Sequence, residues 1–230
     1  MIKAILMDFN GVIIDDEPIQ MKVYQEILGK EGIALSEDDY YSCLGMDDRR
    51  FIEAAYARAG KDVSEGKTAE LKAAKTEKWA EYVEKELPLF DGIENFVKKM
   101  AQQFTLGIVS MAGRDEIDHV LERTGLRSSF DIIVSSADVT ACKPDAECYR
   151  TGFEVIDAAR TANGHLPITH RECLVIEDTP QGIQAAKNAD LFALGVTNTV
   201  SAKDLRAAGA DWIAYDLDDW MPDSIRRVFV

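Results

Sequence analysis

The chain has 230 residues, of which 47% are hydrophobic and 29% charged, with a formal net charge of −15. That is long and apolar enough for one α/β domain with a smaller insert, and too acidic for a nucleic-acid or anionic-membrane surface, since both need a basic footprint. No apolar stretch approaches the ~18 residues that span a bilayer, and Asp8 interrupts the N-terminal apolar run too early for a secretory leader, so the expected location is cytoplasmic.

The first element is the run Ile2–Met7, which stops at Asp8-Phe9-Asn10-Gly11-Val12. A short apolar run ending at Gly reads as a buried parallel strand feeding a tight loop. Next, Pro18 suits a first helical turn, and Ile19, Val23 and Ile27 recur at helical spacing. Ser36 with Asp39 resembles a capping box, Asp47 caps a segment that ends at Gly60, and a Lys/Glu/Ala-rich helix runs from about Thr68 to Pro88. Trp79 and Tyr82 on that helix read as packing within the helical block. No strand signal occurs between Asp15 and Leu87.

Beyond residue 88 the texture alternates. Strand-like runs at Phe104–Val109, Asp131–Val134, Cys173–Ile176, Leu191–Val196 and Trp212–Ala214 are separated by helical stretches, two of which stop at Gly125 and Gly209. This alternation predicts a parallel sheet with crossover helices. The expected architecture is a doubly wound α/β core (1–16 and 88–230) carrying an inserted all-helical cap (17–87). The four cysteines have no C-x-x-C spacing and read as free thiols.

Four strand ends carry complementary polar groups. The first has Asp8; the second ends in Ser110-Met111-Ala112-Gly113, where a hydroxyl and exposed amides suit a phosphate oxygen; after the third comes Lys143-Pro144; the fourth runs into Glu177-Asp178-Thr179-Pro180. Ligand crevices of open α/β sheets lie outside the carboxyl ends of the strands. Asp8, Glu177 and Asp178 would crowd negative charge there, which calls for a cation. Mg²⁺ fits best, because it takes oxygen ligands and bridges to phosphate.

These motifs resemble the haloacid dehalogenase superfamily of phosphohydrolases, in the branch with a helical cap after the first motif that includes β-phosphoglucomutase and phosphoglycolate phosphatase. The run Val175–Ala189 and Asp8-Phe9-x-Gly11-Val12 carry most of the likeness. The resemblance implies that Asp8 attacks phosphorus to give an aspartyl-phosphate. Mg²⁺ would be held by Asp8, the main-chain carbonyl of Asn10, Asp178 and, directly or through water, Glu177. Ser110, Lys143 and the amides near Phe9, Asn10 and Met111 would cradle the phosphoryl group. Related caps place a Gly-containing loop and a basic residue over the substrate, which points to Gly45 and to Arg49 or Arg50. The substrate would be a small phosphorylated metabolite, and the protein a monomer or weak dimer.

Asn10 departs from the pattern. The superfamily uses an aspartate there to protonate the leaving alcohol and then to activate water. An amide cannot shuttle a proton, and losing a general acid/base costs ~10²–10⁴ in rate. A slow phosphatase, a substitution that traps a complex, a related phosphomutase and a phosphometabolite-binding protein all stand as readings of the sequence. Asp15 and Asp16 are nearby carboxylates, but their spacing recommends neither as a replacement.

Overall fold

The computed structural model describes residues 1–230. Six strands, β1 (Ala4–Met7), β2 (Thr105–Val109), β3 (Ile132–Val134), β4 (Cys173–Glu177), β5 (Phe192–Val196) and β6 (Trp212–Ala214), form one sheet of order β3-β2-β1-β4-β5-β6. Every pairing is parallel. β1 and β4 are buried along their whole length, as continuous apolar runs covered on both faces require.

Alternation along β1 divides the interior. Ile5 and Met7 join a cluster of 32 buried residues with α5 (Ile93–Ala101), α6 (Arg114–Thr124) and α10 (Pro222–Val228). Ala4 and Leu6 join the opposite layer with α7 (Glu147–Ala162), α8 (Pro180–Asn188) and α9 (Ala202–Ala207).

Four helices between β1 and α5 build the cap: α1 (Glu17–Lys30), α2 (Glu37–Tyr41), α3 (Asp48–Arg58) and α4 (Glu65–Lys85). Ser36 and Asp47 cap α2 and α3 through their side chains. Helix α4 begins three residues before the expected start at Thr68, because Ser64 accepts the Lys67 N–H and caps it there. The cap's own cluster contains Tyr24, Ile27, Leu28, Tyr40, Phe51, Ile52 and Leu71. Trp79 is the correction: it joins the large sheet-side cluster rather than the cap's, and packs edge-on against His119 of α6. The two links between cap and core run side by side, with Ile14 bridged to Leu89 and the Asp15 N–H bonded to the Pro88 carbonyl at 2.7 Å. No helix is long and apolar enough to cross a membrane.

Candidate active site

Register brings the four strand ends together. Met7 pairs with Ile108 on one side and Ile176 on the other, so Asp8, Ser110 and Glu177 emerge at one edge. The sheet changes direction at β1/β4, the switch point at which such folds open a crevice.

Lys143 reaches into this edge from the loop after β3. Its buried ammonium lies 2.8 Å from Asp8 Oδ2 and 2.6 Å from Glu177 Oε1. Asp8 Oδ1 accepts the Phe9 N–H at 2.8 Å. Glu177 is saturated: Oε1 also accepts the Tyr149 hydroxyl at 2.9 Å, and Oε2 accepts the Asp178 and Thr179 N–H groups and the Thr179 hydroxyl. Burial works to raise the Glu177 pKa, but Lys143 and these donors overrule it and hold the carboxyl below its ordinary value. Glu177 thus positions Lys143.

Asp178 is the opposite case. It is completely buried, and neither carboxylate oxygen has a hydrogen-bond partner. Burial, with Glu177 and Asp8 nearby, pushes its pKa well above the usual range, although the Thr199 hydroxyl close by opposes the rise. Burial likewise lifts Asp8 to about 7 in spite of Lys143. Carboxylate oxygens of Asp8, Glu177 and Asp178 lie within 4.8 Å of one another, and no hydrogen bond reaches the main-chain carbonyl of Asn10. A buried, unpartnered carboxylate beside two others and a free main-chain carbonyl fits a hard divalent cation.

One cavity of about 90 Å³ lies above the edge, lined by Asp8, Asn10, Ser110, Met111, Lys143 and Thr179 from the core. Ser110 Oγ accepts the Ala112 N–H at 3.2 Å, leaving its hydroxyl proton to give. Phe9 does not line the cavity; its ring is fully buried and its N–H is already committed to Asp8.

From the cap, Gly45 closes over the cavity at φ +86°, where an added Cβ would stand 3.0 Å from Gln181 and 3.2 Å from Lys143. The cap is therefore seated on the core. Arg49 is a second correction. It is exposed, 3.8 Å from Glu53, and does not line the cavity. Arg50 binds the Thr140 carbonyl at 2.6 Å and the Cys142 sulfur at 2.8 Å. The α3 residues facing the cavity are Asp48, one position earlier in the helical turn, and Phe51.

The cavity's cap-side cation comes from a residue the sequence reading passed over. Lys75 on α4 is buried, with its ammonium 2.8 and 3.0 Å from the two Glu116 oxygens and 3.2 Å from Asp48. Its signal was available: Leu71, Lys75, Trp79 and Val83 recur every four residues along the buried face of α4. Glu17, Gln20, Tyr24, Tyr40, Cys43, Leu44, Met46 and Phe51 complete the cap wall.

Residues 5–196 match the family described as haloacid dehalogenase-like hydrolase. The chain is 26% identical to the phosphorylated carbohydrates phosphatase of Thermotoga maritima, over 90% of this chain and 92% of that protein. It is also 26% identical to hexitol phosphatase B of Escherichia coli strain K12, over 91% and 90%. It spans 20% of the length of a larger chloroplastic relative. Among solved structures, β-phosphoglucomutase from Clostridium difficile superposes with a TM-score of 0.83 at 20% identity, covering 100% of this chain and 97% of that one. A parallel sheet with its acidic strand ends under a helical cap, and a family match over most of its length, place this chain in the haloacid dehalogenase-like hydrolase family.

Proposed function

We propose that the protein is a Mg²⁺-dependent phosphohydrolase of small phosphorylated metabolites that works through an aspartyl-phosphate on Asp8, slowed by Asn10. The observation that carries this reading is the buried, unpartnered carboxylate of Asp178 beside Asp8, on the strand edge that Lys143 closes with a single ammonium. Asp8, Asp178 and the Asn10 carbonyl would hold the ion, which supplies charge stabilisation at the phosphoryl oxygens. Lys143 and the Ser110 hydroxyl supply the protein's share of that stabilisation. Asp8 bonds to phosphorus as the bond to the leaving alkoxide breaks, and water later cleaves the acyl phosphate. Asn10 can donate a hydrogen bond to the departing oxygen but delivers no proton. Esters with good leaving groups, such as acyl and aryl phosphates, therefore suffer least from its presence.

The test is a phosphatase screen over many phosphoesters with and without Mg²⁺, run on this protein and on Asn10→Asp, with intact-protein mass measured after acetyl phosphate. Turnover in the variant and a retained phosphoryl group on the parent support the reading. Absence of both from both proteins overturns it.

A further inference from the structure

The side-chain donors of Gln20, Tyr24, Tyr40 and Lys75 on the cap side of the cavity are all committed. The Tyr40 hydroxyl is given to Glu17, and the Tyr24 hydroxyl to Asp48. The Lys75 ammonium is divided between Glu116 and Asp48. What remains toward the cavity is acceptor capacity: the carboxylates of Glu17, Asp48 and Glu116, and Gln20 Oε1. Gln20 is only 6% exposed, its amide nitrogen is bonded to Asp16, and its Oε1 has no partner. Buried acceptors of this kind are costly unless a ligand brings donors to them.

The charge points the same way. At alkaline pH, where Glu17 is ionised as well, three carboxylates face one ammonium in this half of the cavity, and that ammonium is already held on two sides. Asp48 lines the cavity where the likeness to related caps points to a basic residue, and Arg49 is exposed away from it.

We propose that the cap half of this cavity selects phosphomonoesters whose leaving group is rich in hydrogen-bond donors and carries no negative charge, a polyol or amino-polyol, and rejects leaving groups bearing a carboxylate or a second phosphate. This inference rests on the reading of Asp8 as the phosphoryl end. It narrows the substrate class to neutral or cationic polyol phosphates, and argues against phosphoglycolate. It also argues against a mutase, because moving a phosphoryl group between two positions of one sugar requires holding a bisphosphate. Glu17, Gln20, Asp48 and Glu116 act as specificity determinants, and each is an acceptor for a substrate hydroxyl or ammonium.

The discriminating pair is glucitol 6-phosphate and 6-phosphogluconate, which differ at the far carbon only by a hydroxymethyl group against a carboxylate. Calorimetric titration in Mg²⁺ should show glucitol 6-phosphate binding at least about tenfold tighter, because an anion meets like charge and finds no free side-chain donor on the cap side. In Glu116→Gln and in Asp48→Asn, Lys75 regains a free donor and the local charge falls, so the preference should shift toward 6-phosphogluconate by about tenfold. Thermal unfolding checks that each variant is folded, and either folded variant suffices. Equal or tighter binding of 6-phosphogluconate to the parent protein, or a ratio unmoved in a folded variant, overturns the selectivity while leaving the phosphohydrolase reading standing. Failure of both esters to bind overturns both.

Discussion

The side-chain amide of Asn10 faces both carboxylate oxygens of Asp16, at 2.9 and 3.1 Å. Asp16 is completely buried and also takes the Trp79 indole N–H at 2.7 Å and the Gln20 amide at 2.9 Å. Burial raises its pKa although these neutral donors oppose it. An aspartate at position 10 would set a second carboxyl against this one, and such pairs share a proton. Asn10→Asp should therefore raise phosphatase turnover at least about a hundredfold by restoring a proton carrier. It should also unfold more easily at pH 8 than at pH 5, relative to the parent. Steady-state assays and thermal melts at the two pH values check both halves, and an unchanged rate would mean that another group carries the proton.

Asp178 gives a prediction in which two signs cross. Its carboxylate is buried without donors, so Asp178→Asn should stabilise the metal-free protein. Mg²⁺ at a hundredfold excess over its Kd should stabilise the parent by about 2.7 kcal/mol and the variant by much less. Melting curves with EDTA and with Mg²⁺ would show the order of the two proteins reversing. A parent indifferent to Mg²⁺ would remove the metal from the proposal.

Glu17 links pH to stability. Burial lifts its pKa from the ordinary 4.5 to about 7, with Asp16 and Asp8 adding to the rise and the Tyr40 hydroxyl and Lys75 opposing it. Between those values the folded protein keeps a proton that the unfolded chain has released. This contribution is complete below the lower value and is lost as pH rises through the higher one. Glu17→Gln should flatten the decline of the metal-free melting temperature across that window. An equally steep decline in the variant would place the titrating group elsewhere.

The bridge from α4 to α6 joins the cap to the core through buried charge. Removing one partner strands the others, so Lys75→Met should cost about 3–5 kcal/mol. The double variant Lys75→Met/Glu116→Gln should recover part of that loss, because only Asp48 is then left without its cation. Urea unfolding of the parent, Lys75→Met, Glu116→Gln and the double variant measures the coupling; additive losses would mean that the Lys75–Glu116 contact contributes nothing of its own.

The parallel sheet and the helical cap were readable because β1 and β4 are apolar runs and the segment between β1 and α5 has only helical periodicity. Asp8, Ser110 and Lys143 could be named because each follows a strand or its crossover loop, where little but function or capping asks for a polar residue. The cap side was less legible. A lysine in a Lys/Glu/Ala-rich helix reads as solvated, and Lys75 is buried only because Glu116 arrives from a helix 41 residues away. The likeness to related caps points to Arg49, whereas Asp48, Phe51, Ile52 and Ala55 share the buried face of α3 and settle the phase. Glu177 belongs with Asp8 and Asp178 to the acidic group at the strand ends, but nothing in the sequence marks the five hydrogen bonds by which it also holds Lys143 and the following turn.

Gly182 tests that arrangement most sharply, because local and tertiary physics give opposite signs there. It lies within α8, where alanine is worth up to about 1 kcal/mol more than glycine by helix propensity alone. An added Cβ, however, would stand 1.8 Å from the Glu177 carboxyl. Glu177 would have to leave the Tyr149 hydroxyl, the Asp178 and Thr179 amides and, most consequentially, the Lys143 ammonium 2.6 Å away. Gly182→Ala should thus destabilise by about 1–3 kcal/mol, the usual range for overpacking, and release Lys143 from its place beside Asp8. Turnover in the Asn10→Asp background should fall with it. Gly29→Ala in α1 is the control: nothing lies within 4 Å of the added methyl, so propensity acts alone and the sign should be stabilising. Should both substitutions stabilise the protein, Glu177 is not held where its five hydrogen bonds put it, and Lys143 lacks the anchor on which the Asp8 chemistry depends.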